Sequence, residues 1–370
     1  MSKLFQPLHV GRTQLSHRIT LAPLTRFRAD DNHVPLSYVK DYYAQRGSTP
    51  GTLLISEATL ISPRAGGYNN VPGLWSDAQI SGWKEVTSAV HAKGSYIFAQ
   101  LWALGRVADP AILASEGLDL VSASDIPVSG SPKPHPLTEA EIEAFIADYA
   151  QAARNAIEAG FDGVEIHGAN GYLIDQFIQD VSNQRADKWG GSIENRSRFL
   201  LEVVRAVSGA IGTDRTGLRL SPFSHFQEMG MEDPLPQFTH IAKALAPFKL
   251  AYAHLVEPRV DGNTDADTDT KNDLRFFLEA YARASPVILA GGYTPELARQ
   301  SADVTYKDYD VLVAFGRSFI SNPDLPFRVR ENIAFSPYDR DTFYVPKSPK
   351  GYIDYEFSAE FKASTVDGLA

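Results

Sequence analysis

Short apolar runs alternate with longer amphipathic stretches along nearly all 370 residues, and this rhythm constrains the fold more than any other feature. Runs of aliphatic and β-branched residues separated by helical stretches are what a parallel sheet covered on both faces requires. Eight such runs can be read: Arg18–Leu24, Thr52–Glu57, Tyr96–Trp102, Gly163–His167, Gly217–Ser221, Ala251–Glu257, Pro286–Gly291 and Val311–Gly316. Helix signals fall between them. Thr138 with Glu141 makes a capping box ahead of apolar Ile142, Phe145, Ile146 and Tyr149, and Gly160 ends that helix. Asp77 to Gly94 and Asn195 to Gly212 read as further helices that stop near glycine.

Strand–helix units repeated without a break in composition predict an α/β fold, a (β/α)8 TIM barrel forming one domain over residues 1–370. An open, doubly wound dinucleotide-binding sheet should carry Gly-x-Gly-x-x-Gly after its first strand. Ala22-Pro23-Leu24-Thr25-Arg26 stands there instead. Ahead of the first strand, Leu8–Val10 and Gln14–Leu15 flank Gly11-Arg12-Thr13, a hairpin expected to cap the barrel bottom. Two long βα connections, Ala103–Pro136 and Arg259–Asp273, should overhang the C-terminal face and are expected to act as lids.

Composition removes several function classes. With no cysteine there are no disulfides, iron–sulfur clusters, thiolate metal sites or thiol nucleophiles. The net charge of −10 repels phosphate backbones and anionic lipid, so neither nucleic acid nor membrane is expected as a partner. The opening Met1-Ser2-Lys3-Leu4-Phe5-Gln6-Pro7 lacks the apolar core of a signal peptide, which makes a cytoplasmic protein the expectation. Monomer and homodimer both suit such a barrel.

A barrel builds its active site at the C-terminal ends of its strands. Here those positions hold Thr25, Glu57-Ala58, Gln100 with Trp102, His167 with Asn170 and Tyr172, Arg219, Glu257, Gly291-Gly292 and Gly316-Arg317. No lysine ends a strand, which disfavours Schiff-base chemistry, and no carboxylate–histidine cluster suggests a metal. Gly291-Gly292 and Gly316-Arg317 close the seventh and eighth strands, the pair of loops where barrels bind phosphate on backbone amides. Arg317 would add a charge-assisted bond. The spacing of His167 and Asn170 suggests two groups about one helical turn apart, able to hold one oxygen between them. Tyr172 follows, a weak acid suited to giving a proton to a carbanion in a dry pocket.

Over nearly its whole length the chain resembles the old yellow enzymes, FMN-dependent ene-reductases also known as NADPH dehydrogenases, and among them the fungal branch. The resemblance is carried by Ala22-Pro23-Leu24-Thr25-Arg26, Ser62-Pro63-Arg64-Ala65-Gly66-Gly67-Tyr68, Ala99-Gln100-Leu101-Trp102 and Glu165-Ile166-His167-Gly168-Ala169-Asn170-Gly171-Tyr172. It continues through Trp189-Gly190-Gly191-Ser192, Leu218-Arg219-Leu220-Ser221-Pro222, Ala290-Gly291-Gly292, Phe315-Gly316-Arg317 and Gly351-Tyr352-Ile353-Asp354-Tyr355.

The resemblance implies bound FMN and NADPH, or NADH, as hydride donor. Thr25 would bond the flavin carbonyl beside N5, Gln100 would face the pyrimidine edge, and Arg219 would place positive charge near N1. Pro23, Leu24 and Ala58 would line the ring, while Gly291, Gly292, Gly316 and Arg317 would take the phosphate. His167 and Asn170 would bind the oxygen of an activated alkene, Tyr172 would protonate it, and phenols would inhibit. Tyr68, Trp102, Phe226 and Tyr352 are expected to shape the substrate pocket. Where many relatives carry glycine this chain has Ala58 and Ala314. The resemblance also offers a rival reading, isomerisation of an enal in an alkaloid pathway; that outcome goes with loss of the tyrosine, and Tyr172 is present.

Overall fold

In the computed structural model of the protein, which describes residues 2–262, 264–265 and 272–366, eight parallel strands close into a barrel. They are β1 (Ile19–Leu21), β2 (Leu53–Leu60), β3 (Tyr96–Trp102), β4 (Gly163–Gly168), β5 (Thr216–Leu220), β6 (Tyr252–Val256), β7 (Val287–Ala290) and β8 (Val311–Phe315). Each pairs with the next, and β8 pairs with β1 to close the ring. Helices α1 (Val39–Arg46), α2 (Asp77–His91), α3 (Glu139–Glu158), α4 (Ile193–Ile211), α5 (Leu235–Leu245), α6 (Arg275–Tyr281), α7 (Pro295–Gln300) and α8 (Leu325–Glu331) follow the strands in turn.

Alternation along the strands sorts residues into two cores. Ala99, Leu101, Val164, Ile166, Leu218 and Leu220 face outward and join the helices in the large outer core. Leu53, Ile55, Phe98, Tyr252, Ile288 and Leu312 face inward and fill the bottom of the barrel. Val10 and Leu15 belong to that inner plug, one from each strand of the antiparallel hairpin Leu8–Val10/Thr13–Leu15, so the hairpin stops the lower end. The capping box of α3 is formed as its sequence requires, with the Glu141 N–H donating to Thr138 Oγ1 at 3.3 Å.

Most strands end within a residue of the ranges the sequence predicts; two ends differ by three residues, each for a physical reason. β1 stops at Leu21 because Pro23 has no N–H to continue the ladder. β2 runs on to Leu60, through a register shift between Ile55 and Ala58. Ser56 fills the gap in the ladder by accepting from the Gln100 N–H (3.0 Å). Such a bulge re-aims the side chains after it. Ala58 thereby faces the cavity, while Glu57 is buried near Arg26 and Arg28, where burial pushes its carboxyl up to about 7 against their pull.

Of the two long connections, 103–136 is ordered by a helical turn at Gly105–Val107, a helix at Pro110–Ser115 and a short parallel pairing of Val121–Ser122 with His135–Pro136. It lends no residue to the cavity lining and packs behind it, with Leu104, Ala108 and Leu113 clustered around Trp102, Tyr68 and Tyr172. The expectation of a lid is corrected there to that of a buttress. In the second connection, Arg259, Val260 and Gly262 do line the cavity; residues 263 and 266–271 lie outside the described residues. No helix among the described residues is long and apolar enough to cross a membrane.

Candidate active site

A cavity of about 860 Å³ opens at the C-terminal ends of the strands. Pro23, Leu24 and Thr25 reach it after β1, Ala58 from β2, Gln100 and Trp102 from β3, and Arg219 from β5. Gly291 and Gly292 enter it after β7, and Gly316 and Arg317 after β8. Tyr68 and Phe226 complete the wall above His167, Asn170 and Tyr172.

The turn after β4 is built with care. His167 is the last inward residue of β4, but Asn170 is not one helical turn further along, as its spacing suggested. It sits in a tight turn with φ +58°, a left-handed conformation that asparagine tolerates better than most residues. Ser221 accepts from the Asn170 N–H at 2.8 Å, and Asp175 accepts from the Gly171 N–H at 2.9 Å. Gln176 donates to the Gly171 carbonyl at 2.8 Å. Asp175, whose carboxyl burial pushes up to about 6, and Gln176 thus hold the turn from below. Neither was singled out by the sequence; their only signal is two buried polar residues at the start of the next helix.

The Ala169 N–H points at His167 Nδ1 (3.4 Å), which makes Nδ1 the acceptor and leaves the proton on Nε2. Burial first, then the positive Arg219 and the neighbouring His254, hold the His167 pKa well below its ordinary value, so the ring is a neutral donor. Asn170 keeps its Oδ1 buried without a protein partner. The Tyr172 ring stands 5.0 Å from that of His167 and 4.9 Å from that of Trp102, both edge to face. Burial raises the Tyr172 pKa above the ordinary phenol value, with Tyr68 adding to the effect, so the phenol keeps its proton.

Phe226 is placed by a buried arginine. Arg106 donates to the carbonyls of Gln227 and Glu228, both at 3.1 Å, which ties the loop after β5 to the loop after β3. Gly262 lies directly over the Phe226 ring, where any Cβ would collide with it. Arg106 carries no sign of this role in the sequence.

Tyr352 departs from the expectation that it shapes the pocket. It is fully buried away from the cavity and stacks on Tyr42 at 4.1 Å with only 5° between the rings. The Arg26 and Arg28 guanidiniums stand 5.1 Å from its face. Arg26 also donates to the Gly351 carbonyl (2.8 Å), and Arg28 to those of Thr342 and Phe343 (2.8 Å each). This aromatic–arginine cluster fastens the C-terminal segment against the barrel. That segment brings Tyr338, Phe343 and Tyr344 to the cavity in place of Tyr352, and Phe27 meets Tyr344 edge to face at 6.1 Å.

The cavity fits flavin mononucleotide in three respects. Pro23, Leu24, Ala58 and Ala314 give it apolar wall surface against which a tricyclic ring can lie. Gln100 and Arg219 make one polar end, and Arg219 Nε is buried without a partner. Gly291 (φ +136°) and Gly292 (φ +56°) make the other, beside Arg317. A Cβ on Gly291, at φ +136°, would meet Glu257 Cβ at 3.0 Å, so that loop needs glycine, while one on Gly316 would press on Leu24 Cδ2 at 3.3 Å. The methyls of Ala58 and Ala314 leave the cavity open.

Comparison with known proteins identifies the family. Residues 3–335 match the NADH:flavin oxidoreductase / NADH oxidase family. A chanoclavine-I aldehyde reductase from Penicillium roqueforti is 65% identical, covering 98% of each chain. An NADP-dependent oxidoreductase from Aspergillus flavus is 57% identical over 97% of each. Among solved structures, an Old Yellow Enzyme from Pichia sp. superposes with a TM-score of 0.89 at 39% identity, covering 97% of this chain and 94% of that one. Morphinone reductase gives a TM-score of 0.87 at 38% identity, covering 96% of each. The chain therefore belongs to the NADH:flavin oxidoreductase / NADH oxidase family, in its old yellow enzyme branch, as an FMN-dependent oxidoreductase on a (β/α)8 barrel.

Proposed function

We propose that this protein is an ene-reductase: with NADPH as electron source, it saturates the C=C bond of α,β-unsaturated aldehydes and related activated alkenes. The observation that carries the reading is Tyr172, a half-buried phenol packed between Trp102 and His167 at the cavity wall. FMN, when bound, supplies the hydride chemistry that links nicotinamide to alkene. His167, neutral with its proton on Nε2, and Asn170 hold the substrate's carbonyl oxygen and stabilise the negative charge that grows there. Tyr172 gives its proton to the α-carbon. Trp102, Tyr68 and Phe226 exclude water from that proton transfer.

The aldehyde reductase relative favours an enal as substrate, and the NADP-dependent relative favours NADPH. The reading also takes residues 1–370 as one cytoplasmic FMN-binding unit, monomeric or a homodimer, that acts on small molecules and binds phenols in the same pocket. Isomerisation of an enal remains the rival, and nothing in the cavity favours it.

The test is anaerobic turnover of cinnamaldehyde with NADPH in deuterium oxide, followed by NMR of the product. The expected product is the saturated aldehyde with one deuterium on the α-carbon. An allylic alcohol, from reduction of the carbonyl itself, contradicts the proposal.

A further inference from the structure

The barrel interior changes character halfway up. Above the apolar plug, the inward positions of β3, β4, β5 and β6 are Gln100, Glu165, Arg219 and His254. Gln100 and Arg219 reach the cavity. Glu165 and His254 do not: both are 0% exposed and lie beneath it. Gln100 is the register partner of Glu165, and Arg219 that of His254.

Glu165 is the hub. The Gln100 amide donates from Nε2 to Glu165 Oε1 at 2.7 Å, and His254 Nδ1 donates to Oε2 at 2.8 Å. His254 Nε2 and Arg219 Nε are buried with no partner. Burial would raise the Glu165 carboxyl, but His254, Arg219 and Gln100 together bring it below its ordinary value. Burial draws the His254 pKa down, against the pull of Glu165. The layer therefore sets the Glu165 carboxylate close to the Arg219 guanidinium.

Stability does not account for this layer. Replacing buried ionic groups by apolar residues of similar volume is often neutral or stabilising, since the desolvation of each ion costs several kcal/mol. The bottom of the same barrel is filled by leucine, isoleucine and aromatic rings. A polar layer directly beneath the two side chains that meet the ligand points to the ligand instead.

We infer that Glu165, held by His254, is a positioning and charge-balancing residue for the flavin. It ties down the Gln100 amide nitrogen, so that the amide oxygen is free to accept an N–H from the ring edge, and its charge offsets part of the Arg219 charge. Arg219 favours reduction by attracting the negative charge that reduced FMN carries; Glu165 opposes it and sets the reduction potential lower. This rests on the placement of the flavin edge against Gln100 and Arg219.

The experiment is the midpoint potential of bound FMN, measured by slow anaerobic reduction against a reference dye, with FMN affinity measured by fluorescence. Glu165→Gln keeps the shape and loses the charge; its two-electron reduction equilibrium should shift toward reduced flavin about tenfold, or ~30 mV. His254→Leu, which frees Glu165 to take up a proton, should shift it in the same direction, and His254→Asn, which keeps a donor near the Nδ1 position, should restore it. Arg219→Gln should shift it the opposite way. If Arg219→Gln leaves the potential unchanged, the flavin placement itself is wrong. If Arg219→Gln lowers the potential while Glu165→Gln and His254→Leu leave it as in the wild type, the role given to Glu165 is overturned. His254→Leu decides alone should Glu165→Gln fail to fold.

Discussion

Replacing Tyr172 with phenylalanine is expected to slow reoxidation of the NADPH-reduced enzyme by an enal about 10²- to 10⁴-fold, the range over which a positioned general acid acts. Reduction of the enzyme by NADPH should stay within about twofold of the wild-type rate, because that half-reaction needs no proton from the phenol. The asymmetry follows from position. Tyr172 is packed against Trp102 and His167, and its raised pKa keeps the proton in place until a strongly basic carbon takes it. Phenylalanine preserves both edge-to-face contacts, so the fold should be unaffected. Stopped-flow absorbance of the two half-reactions separates these outcomes. Equal losses in both would assign Tyr172 to packing.

Replacing His167 with alanine should weaken the binding of a para-substituted phenol about tenfold to a hundredfold, the value of a hydrogen bond to a charged oxygen, ~1.5–3 kcal/mol. The enal half-reaction should fall about 10²- to 10³-fold, as for loss of one oxyanion donor. A pH signature accompanies the result. Burial and the positive Arg219 hold His167 neutral, so phenol affinity in the wild type should show no transition near the ordinary histidine value of 6.5. A transition there would mean that the ring binds as a cation. Titration of the long-wavelength charge-transfer band with a phenol, across pH, measures both.

Much of the site was legible because a barrel turns a one-dimensional signal into a ring. Once the strands are located, Thr25, Gln100, His167, Arg219, Gly291 and Gly316 must converge, being at or just beyond strand ends on the same face. What failed was local geometry and long-range packing. The turn at Asn170 has the spacing of a helix and the conformation of a left-handed corner, held by Ser221 from the end of the next strand and by Asp175 just beyond the turn. Tyr352 lies in a family-like stretch rich in tyrosine. Whether its ring faces the pocket or the wall depends on Arg26, Arg28 and Tyr42, more than 300 residues earlier.

The polar layer was half visible. Glu165 stands two residues before His167 on one strand, so alternation alone puts both inside the barrel. His254 sits at the same level on β6, but a single histidine in an apolar run gives no sign of its partner. The bond across the barrel from His254 to Glu165 is a product of closure, and closure has no local sequence signal.

If one cavity passes electrons from NADPH through FMN to an activated alkene, the visible spectrum of the purified protein must show both transfers. The protein should be yellow, with flavin bands that bleach on anaerobic addition of NADPH and return on addition of an enal. A protein that stays colourless after incubation with FMN would contradict the cofactor site, and bands that bleach but do not return with any enal or enone would contradict the reaction.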